Sequence, residues 1–176
     1  IIGVAFAFKA SSAPSKYQPF AQGMTDNGTK FYGAFWCPHC QAQEKELGMT
    51  RQSLEKMGLY HECSLASGQG QTQLCIDAKI ESYPTWVYPK EFSLTTNLKP
   101  TICEIQPGPA EQDASCKSYG SKFFKTWVFA VDKGLTIQSA TEPKHEGDVW
   151  TYAAGSRTTG EITLERLSSF SGVALP

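Results

Sequence analysis

Two cysteines, Cys37 and Cys40, bracket a proline and a histidine, Pro38 and His39. Thiols at this spacing can exchange with a disulfide when a helix begins at the first of them. Residues 30–36 (KFYGAFW) read as a short buried strand, and strong helix formers run on from Gln41. The CxxC therefore falls at a strand-to-helix junction. Unpaired N–H groups and the positive end of the helix dipole stabilise a thiolate on Cys37 there. Cys40, one turn later, is expected to be more buried and placed to resolve a mixed disulfide. Pro38 suits the first helical turn, and a protonated His39 adds positive charge beside the thiolate. Stabilising the reduced thiolate makes the disulfide the stronger oxidant. A CxxC is also half of a zinc site, but that reading needs a second pair at ligand spacing. Neither Cys63 with Cys75 nor His61 with His145 supplies one, so no metal is expected.

The second chemical element is Tyr83-Pro84-Thr85. Proline is the residue before which a cis peptide is affordable, and an aromatic residue ahead of it favours that form. In a redox fold, a cis-proline loop facing the CxxC presents backbone groups to an extended peptide. Tyr83, Pro84, Thr85 and the neighbouring Trp36 are therefore candidate substrate contacts. The alternative is an ordinary strand-opening proline.

Around these motifs the pattern predicts a helix at 17–26, helices at 41–48 and 50–57, a strand at 59–62, a loop at 67–70, a helix at 71–80 and a strand at 85–88. Residues 89–109 are rich in Pro and Thr with no helical period. A hairpin is expected from 122–131 and 135–140 about Asp132-Lys133-Gly134. A loop at 141–148, a strand at 149–153, a turn at 155–160 and a helix at 162–170 follow. Thr163 is its expected N-cap, and Gly172 follows its end.

The 176 residues suffice for a real core. With 16 Lys+Arg against 17 Asp+Glu, the net charge of −1 argues against a general nucleic-acid binder, which carries a basic stripe. Six cysteines, an even number, favour an oxidising compartment. Residues 1–8 are continuously apolar but well short of the roughly 20 needed to span a bilayer. They read either as an arm packed on the domain or as the remnant of an anchor or signal, followed by a small polar linker. The expected organisation is thus an arm and linker at 1–18 and one domain at 19–176, with an insertion at 89–148.

The residues carry a resemblance. Tyr32-Gly33-Ala34-Phe35-Trp36-Cys37-Pro38-His39-Cys40-Gln41, Glu62-Cys63, Cys75, Tyr83-Pro84-Thr85-Trp86 and the ending at 164–172 resemble the thioredoxin-like domain attached to bacterial and plastid homologues of vitamin K epoxide reductase. The resemblance spans about 20–88 and 149–172. It implies an α/β thioredoxin-like fold, a central mixed sheet flanked by helices. It also implies a thiol–disulfide oxidoreductase acting on client protein thiols outside the cytosol, in a thylakoid lumen or periplasm. Cys37 is then the nucleophile and Cys40 the resolving thiol. The cofactor is the redox-active disulfide itself, linked only indirectly to a membrane quinone through a membrane redox partner. Cys63 and Cys75 match the family's second pair and are expected to form a structural disulfide. The chain departs from the family in lacking its membrane domain and in carrying the insertion at 89–148. That insertion is expected to hold a hairpin and its own disulfide, Cys103 to Cys116, and to serve as an interaction element. It also lacks an acidic residue in 30–36, where ordinary thioredoxins keep a buried proton-shuttling aspartate.

Two other functions compete. One is a structural or docking subunit of a membrane-bound, photosynthetic complex, tethered at its N-terminus and using the insertion as interface. The other is a disulfide isomerase or chaperone that uses the cis-proline groove without net oxidation.

Overall fold

The structure, a computed structural model, describes residues 14–96, 102–105, 126–132 and 135–176; the strands within 102–105 and 126–132 are described by their pairing alone. Helix α1 (Gln18–Asn27) buries Phe20, Ala21 and Met24 on one face and stops at Gly28, whose φ of 89° suits a residue without a Cβ. Strand β1 (Lys30–Gly33) follows, then α2 (Pro38–Glu46), α3 (Arg51–Lys56), β2 (Tyr60–Glu62), α4 (Gln73–Asp77) and β3 (Thr85–Val87). The Thr50 side chain caps α3 by accepting from the Ser53 N–H. The second half of the chain adds β4 (Phe92–Thr95), β5 (Ile102–Ile105), β6 (Thr126–Asp132), β7 (Leu135–Ser139), β8 (Lys144–Glu146), β9 (Val149–Tyr152), β10 (Arg157–Thr159) and α5 (Leu164–Ser171).

Five strands form a mixed sheet in the order β2-β1-β3-β10-β7, continued by β6 and β5. Among the described residues only β1 and β2 pair in parallel; β1 meets β3 antiparallel, as do the other neighbours. The register lines up one buried row across it: Tyr60, Phe31, Trp86, Thr158 and Ile137. Phe31 stacks on Trp86 at 4.4 Å and meets Tyr60 edge-on at 4.8 Å. Such cross-strand aromatic pairs fix register as well as adding burial. Residue 32 points to the other face, where Tyr32 joins Cys63, Cys75 and Ile80 in a smaller cluster.

A separate three-stranded antiparallel sheet runs β4-β9-β8. It shares the main core: Phe92 stacks on Tyr152 at 5.1 Å and packs on Phe170 of α5 at 4.6 Å. Residues 89–96 and 135–148 are thus built into the fold. The two strands of the expected hairpin, β6 and β7, pair antiparallel from Trp127–Ser139 to Asp132–Leu135.

Two local expectations are corrected. The turn expected at 155–160 contains β10, the strand beside β3, because Thr158 is buried and its hydroxyl shares a 2.9 Å hydrogen bond with that of Tyr88. The loop expected at 141–148 contains β8. The Pro- and Thr-rich stretch contains β4, whose Phe92 and Leu94 face in while Ser93 and Thr95 face out. The arm at 1–8 and the pairing of Cys103 with Cys116 lie outside the described residues.

The two halves of the chain are joined near the CxxC helix by a side-chain amide. Gln43 of α2 is buried; its Nε2 donates to the Ile162 carbonyl at 3.0 Å and its Oε1 accepts from the Ile162 N–H at 3.1 Å. Nε2 also donates to Glu46 Oε2 at 3.1 Å, so both polar atoms of the buried amide are satisfied, which is what burial demands.

Candidate active site

Strand β1 ends at Gly33, and Ala34 to Trp36 make a turn before the helix. The strand is shorter than the 30–36 expected. The turn is held from outside: the Phe35 N–H donates to Glu62 Oε1 at 3.1 Å, and Gln41 Nε2 donates to the Phe35 carbonyl at 2.9 Å. Cys37 is the N-cap of α2 in an extended conformation (φ −79°, ψ 117°), with Pro38 starting the helix. Its backbone N–H donates to the Ala34 carbonyl at 2.9 Å.

Cys37 and Cys40 are both thiols and both buried. Cys37 keeps 5% exposure at the mouth of the site, and Cys40 behind it keeps 0%. Burial pushes the Cys40 thiol far above its ordinary range. A backbone hydrogen bond at Ala34 opposes this, while Cys37 and the charge of Glu44 add to it. Cys40 is therefore a protonated thiol at neutral pH. It can leave from or attack a disulfide only with a proton transfer.

Across from Cys37 lies the loop before β3. The Tyr83–Pro84 peptide is cis, and Cys37 Sγ sits 3.8 Å from the Tyr83 carbonyl oxygen. Trp36 is half-exposed, presents its edge to Tyr83 at 6.0 Å and donates from Nε1 to Ser64 Oγ at 2.9 Å. Pro84 is buried, and its carbonyl accepts from the Gly160 N–H. Thr85 is buried and its hydroxyl donates to the Ser82 carbonyl at 2.8 Å. Of the four residues expected to contact a substrate, Trp36 and Tyr83 thus offer accessible side-chain surface beside Cys37, while Pro84 and Thr85 shape the loop from within.

His39 is exposed, and its Nδ1 lies 2.5 Å from Glu161 Oε1, across the loop before α5. No sequence signal pointed to Glu161, which is 122 residues away. The cysteines at 63 and 75 are joined in a disulfide that ties β2 to α4, with S–S 2.00 Å and Cα atoms 5.4 Å apart. Among the described residues no three His, Cys, Asp or Glu side chains gather as a metal site. No helix there is long and apolar enough to cross a membrane.

Fold and site together define a mixed α/β protein with a CxxC at a strand–turn–helix junction, faced by a cis-proline loop. Over 86 residues, 47% of its length, the chain is 36% identical to the thiol-disulfide oxidoreductase LTO1 of Arabidopsis thaliana. That stretch covers 22% of LTO1, so the chain matches about a fifth of its relative. No family model matches the chain.

Proposed function

We propose that the chain is a thiol–disulfide oxidoreductase on a thioredoxin-like fold, acting on exported or lumenal protein thiols and favouring oxidation over reduction. The observation that carries this is the pairing of roles at the CxxC. Cys37 stands at a helix N-terminus at the mouth of the site, against the Tyr83 carbonyl, and Cys40 lies sealed behind it. The similarity to an oxidoreductase supports the same reading. In the oxidising direction a client thiolate attacks Cys37 Sγ of the Cys37–Cys40 disulfide and Cys40 leaves. A second client thiolate then attacks the client sulfur of the mixed disulfide and releases Cys37. The client dithiol loses two electrons and the protein disulfide gains them. Trp36 and Tyr83 would flank the client chain, and a membrane redox partner would reoxidise the pair.

The test is the reduction potential of the Cys37–Cys40 pair, with the Cys63–Cys75 bond intact. A value nearer about −120 mV than about −270 mV is expected of an oxidant. A value at or below the latter, or no oxidation of a dithiol peptide by the oxidised chain, overturns the reading.

A further inference from the structure

Whenever the Cys40 sulfur leaves a disulfide it must gain a proton, yet it has no exposure to water. The groups behind it show where that proton can come from. Gly33 has no side chain, and its open face is filled. A Cβ there would lie 2.8 Å from Tyr60 Oη and 3.0 Å from Cys40 Sγ. The Tyr60 hydroxyl and the Cys40 sulfur therefore converge on one spot. Glu44 lies one turn beyond Cys40 on α2, a spacing that puts both on the same helix face.

Two carboxyl groups reach this region, Glu44 and Glu62, and they are not equivalent. Glu62 is fully employed. Its Oε1 accepts from the Phe35 N–H at 3.1 Å and the Ser64 N–H at 2.9 Å, and its Oε2 from Tyr60 Oη at 3.4 Å; Arg51 Nε lies 3.8 Å away. It anchors the turn that carries Cys37. Glu44 is idle by comparison: its Oε1 is sealed from solvent and has no hydrogen-bond partner among the described residues, while the side chain as a whole remains partly exposed. Burial raises its affinity for a proton. Arg51 opposes this, and the charges of Glu62 and Glu55 add to it. Two carboxyl groups with different surroundings take different tasks.

Resting on the disulfide-exchange reading above, we propose that Glu44 is the proton partner of Cys40 and that Glu62 is the fixed anchor of the active-site turn. When a thiolate attacks Cys37 Sγ, the S–S bond breaks and its electron pair leaves on Cys40 Sγ. The Glu44 carboxyl supplies the proton to that sulfur and recovers one from water at its exposed edge. In the reverse direction Glu44 takes the proton as Cys40 attacks. Glu44 thus fills, from the helix, the role for which strand β1 has no acidic residue.

The test reduces the oxidised 176-residue chain with dithiothreitol, followed by tryptophan fluorescence from pH 5 to 8. In the wild type two effects oppose each other as pH rises: dithiothreitol thiolate increases while protonated Glu44 decreases. Glu44→Gln is expected to slow the reaction at least tenfold at neutral pH. Its rate should then climb with pH as the thiolate fraction alone dictates. Rates within twofold of wild type at every pH overturn the proposal. Should Glu44→Gln not fold, the Glu44 carboxyl is titrated by 13C chemical shift in the wild-type chain, oxidised and reduced. Different midpoints are expected, and identical midpoints overturn the proposal. Because dithiothreitol replaces the client, this result is independent of whether the chain oxidises any protein thiol, so the two readings fail separately.

Discussion

Cys37/Cys40 and Cys63/Cys75 are two buried pairs packed beside the same sheet, and solvent exposure hardly separates them. Their backbones do. Cys37 caps a helix, with exposed Trp36, Pro38 and His39 as a collar around it. Cys63 is tied in on both sides: its N–H donates to the Gly33 carbonyl at 2.8 Å, and its carbonyl accepts from the Thr72 N–H at 2.8 Å. Tyr32 and Ile80 close over that disulfide. One pair is held at an edge where a partner can reach it, and the other is closed on every side. Reactivity follows from backbone position and access rather than from the presence of two sulfurs.

The largest effect that would break this contrast comes from Cys37→Ser. Dithiol oxidation is expected to fall at least a thousandfold in a stopped assay, while the thermal midpoint barely moves. The double change Cys63→Ala with Cys75→Ala should do the reverse, costing about 2–4 kcal/mol in urea unfolding while leaving exchange at Cys37 measurable. If removing the second pair abolishes exchange in a protein that still unfolds cooperatively, the division of labour is wrong.

A smaller effect sharpens the contrast at the boundary between the pairs. Gly33→Ala inserts a methyl between Tyr60 and Cys40 that would lie 2.8 Å from the Tyr60 ring and 3.0 Å from Cys40 Sγ. Overpacking of this kind costs about 1–3 kcal/mol. Alkylation of Cys40 in the native state should accelerate as its cover is displaced, with the Cys63–Cys75 bond unchanged by mass.

The smallest effect is a pH dependence on the braced side. His61 stacks on Tyr32 at 5.0 Å, and burial, with Lys30 nearby, depresses its proton affinity below the ordinary value of 6.5. The fold thus favours neutral imidazole. Its contribution to stability is complete above pH 6.5 and is lost as pH falls toward the depressed value. The urea midpoint should drop modestly from pH 7.5 to 5, and His61→Phe should flatten that drop; an unchanged slope in the variant removes His61 from the account.

Much of the site was legible from local chemistry. Strand, CxxC and helix are contiguous, so Cys37 at the helix start follows from residues 30–46 alone. The proline after Tyr83 was readable for the same reason. The rest depends on distant neighbours. Arg157-Thr158-Thr159 sits between glycines and reads as a turn; only Trp86 on one side and Ile137 on the other make Thr158 a central strand residue. Phe92 and Leu94 do alternate with Ser93 and Thr95, but four residues in a Pro- and Thr-rich stretch give too short a period to stand out. Glu44 had one local sign, its position a turn after Cys40. Its idle oxygen and the employment of Glu62 are tertiary facts.

The Gln43 amide has a consequence for how such a chain can vary. By gripping both backbone groups of a residue 119 positions away, it sets the distance between the CxxC helix and the segment before α5 directly. The sequence running between them is then relieved of that duty. Residues added between β4 and β7, away from β2, α4 and the Tyr83–Pro84 loop, then need not shift the CxxC helix against the segment before α5.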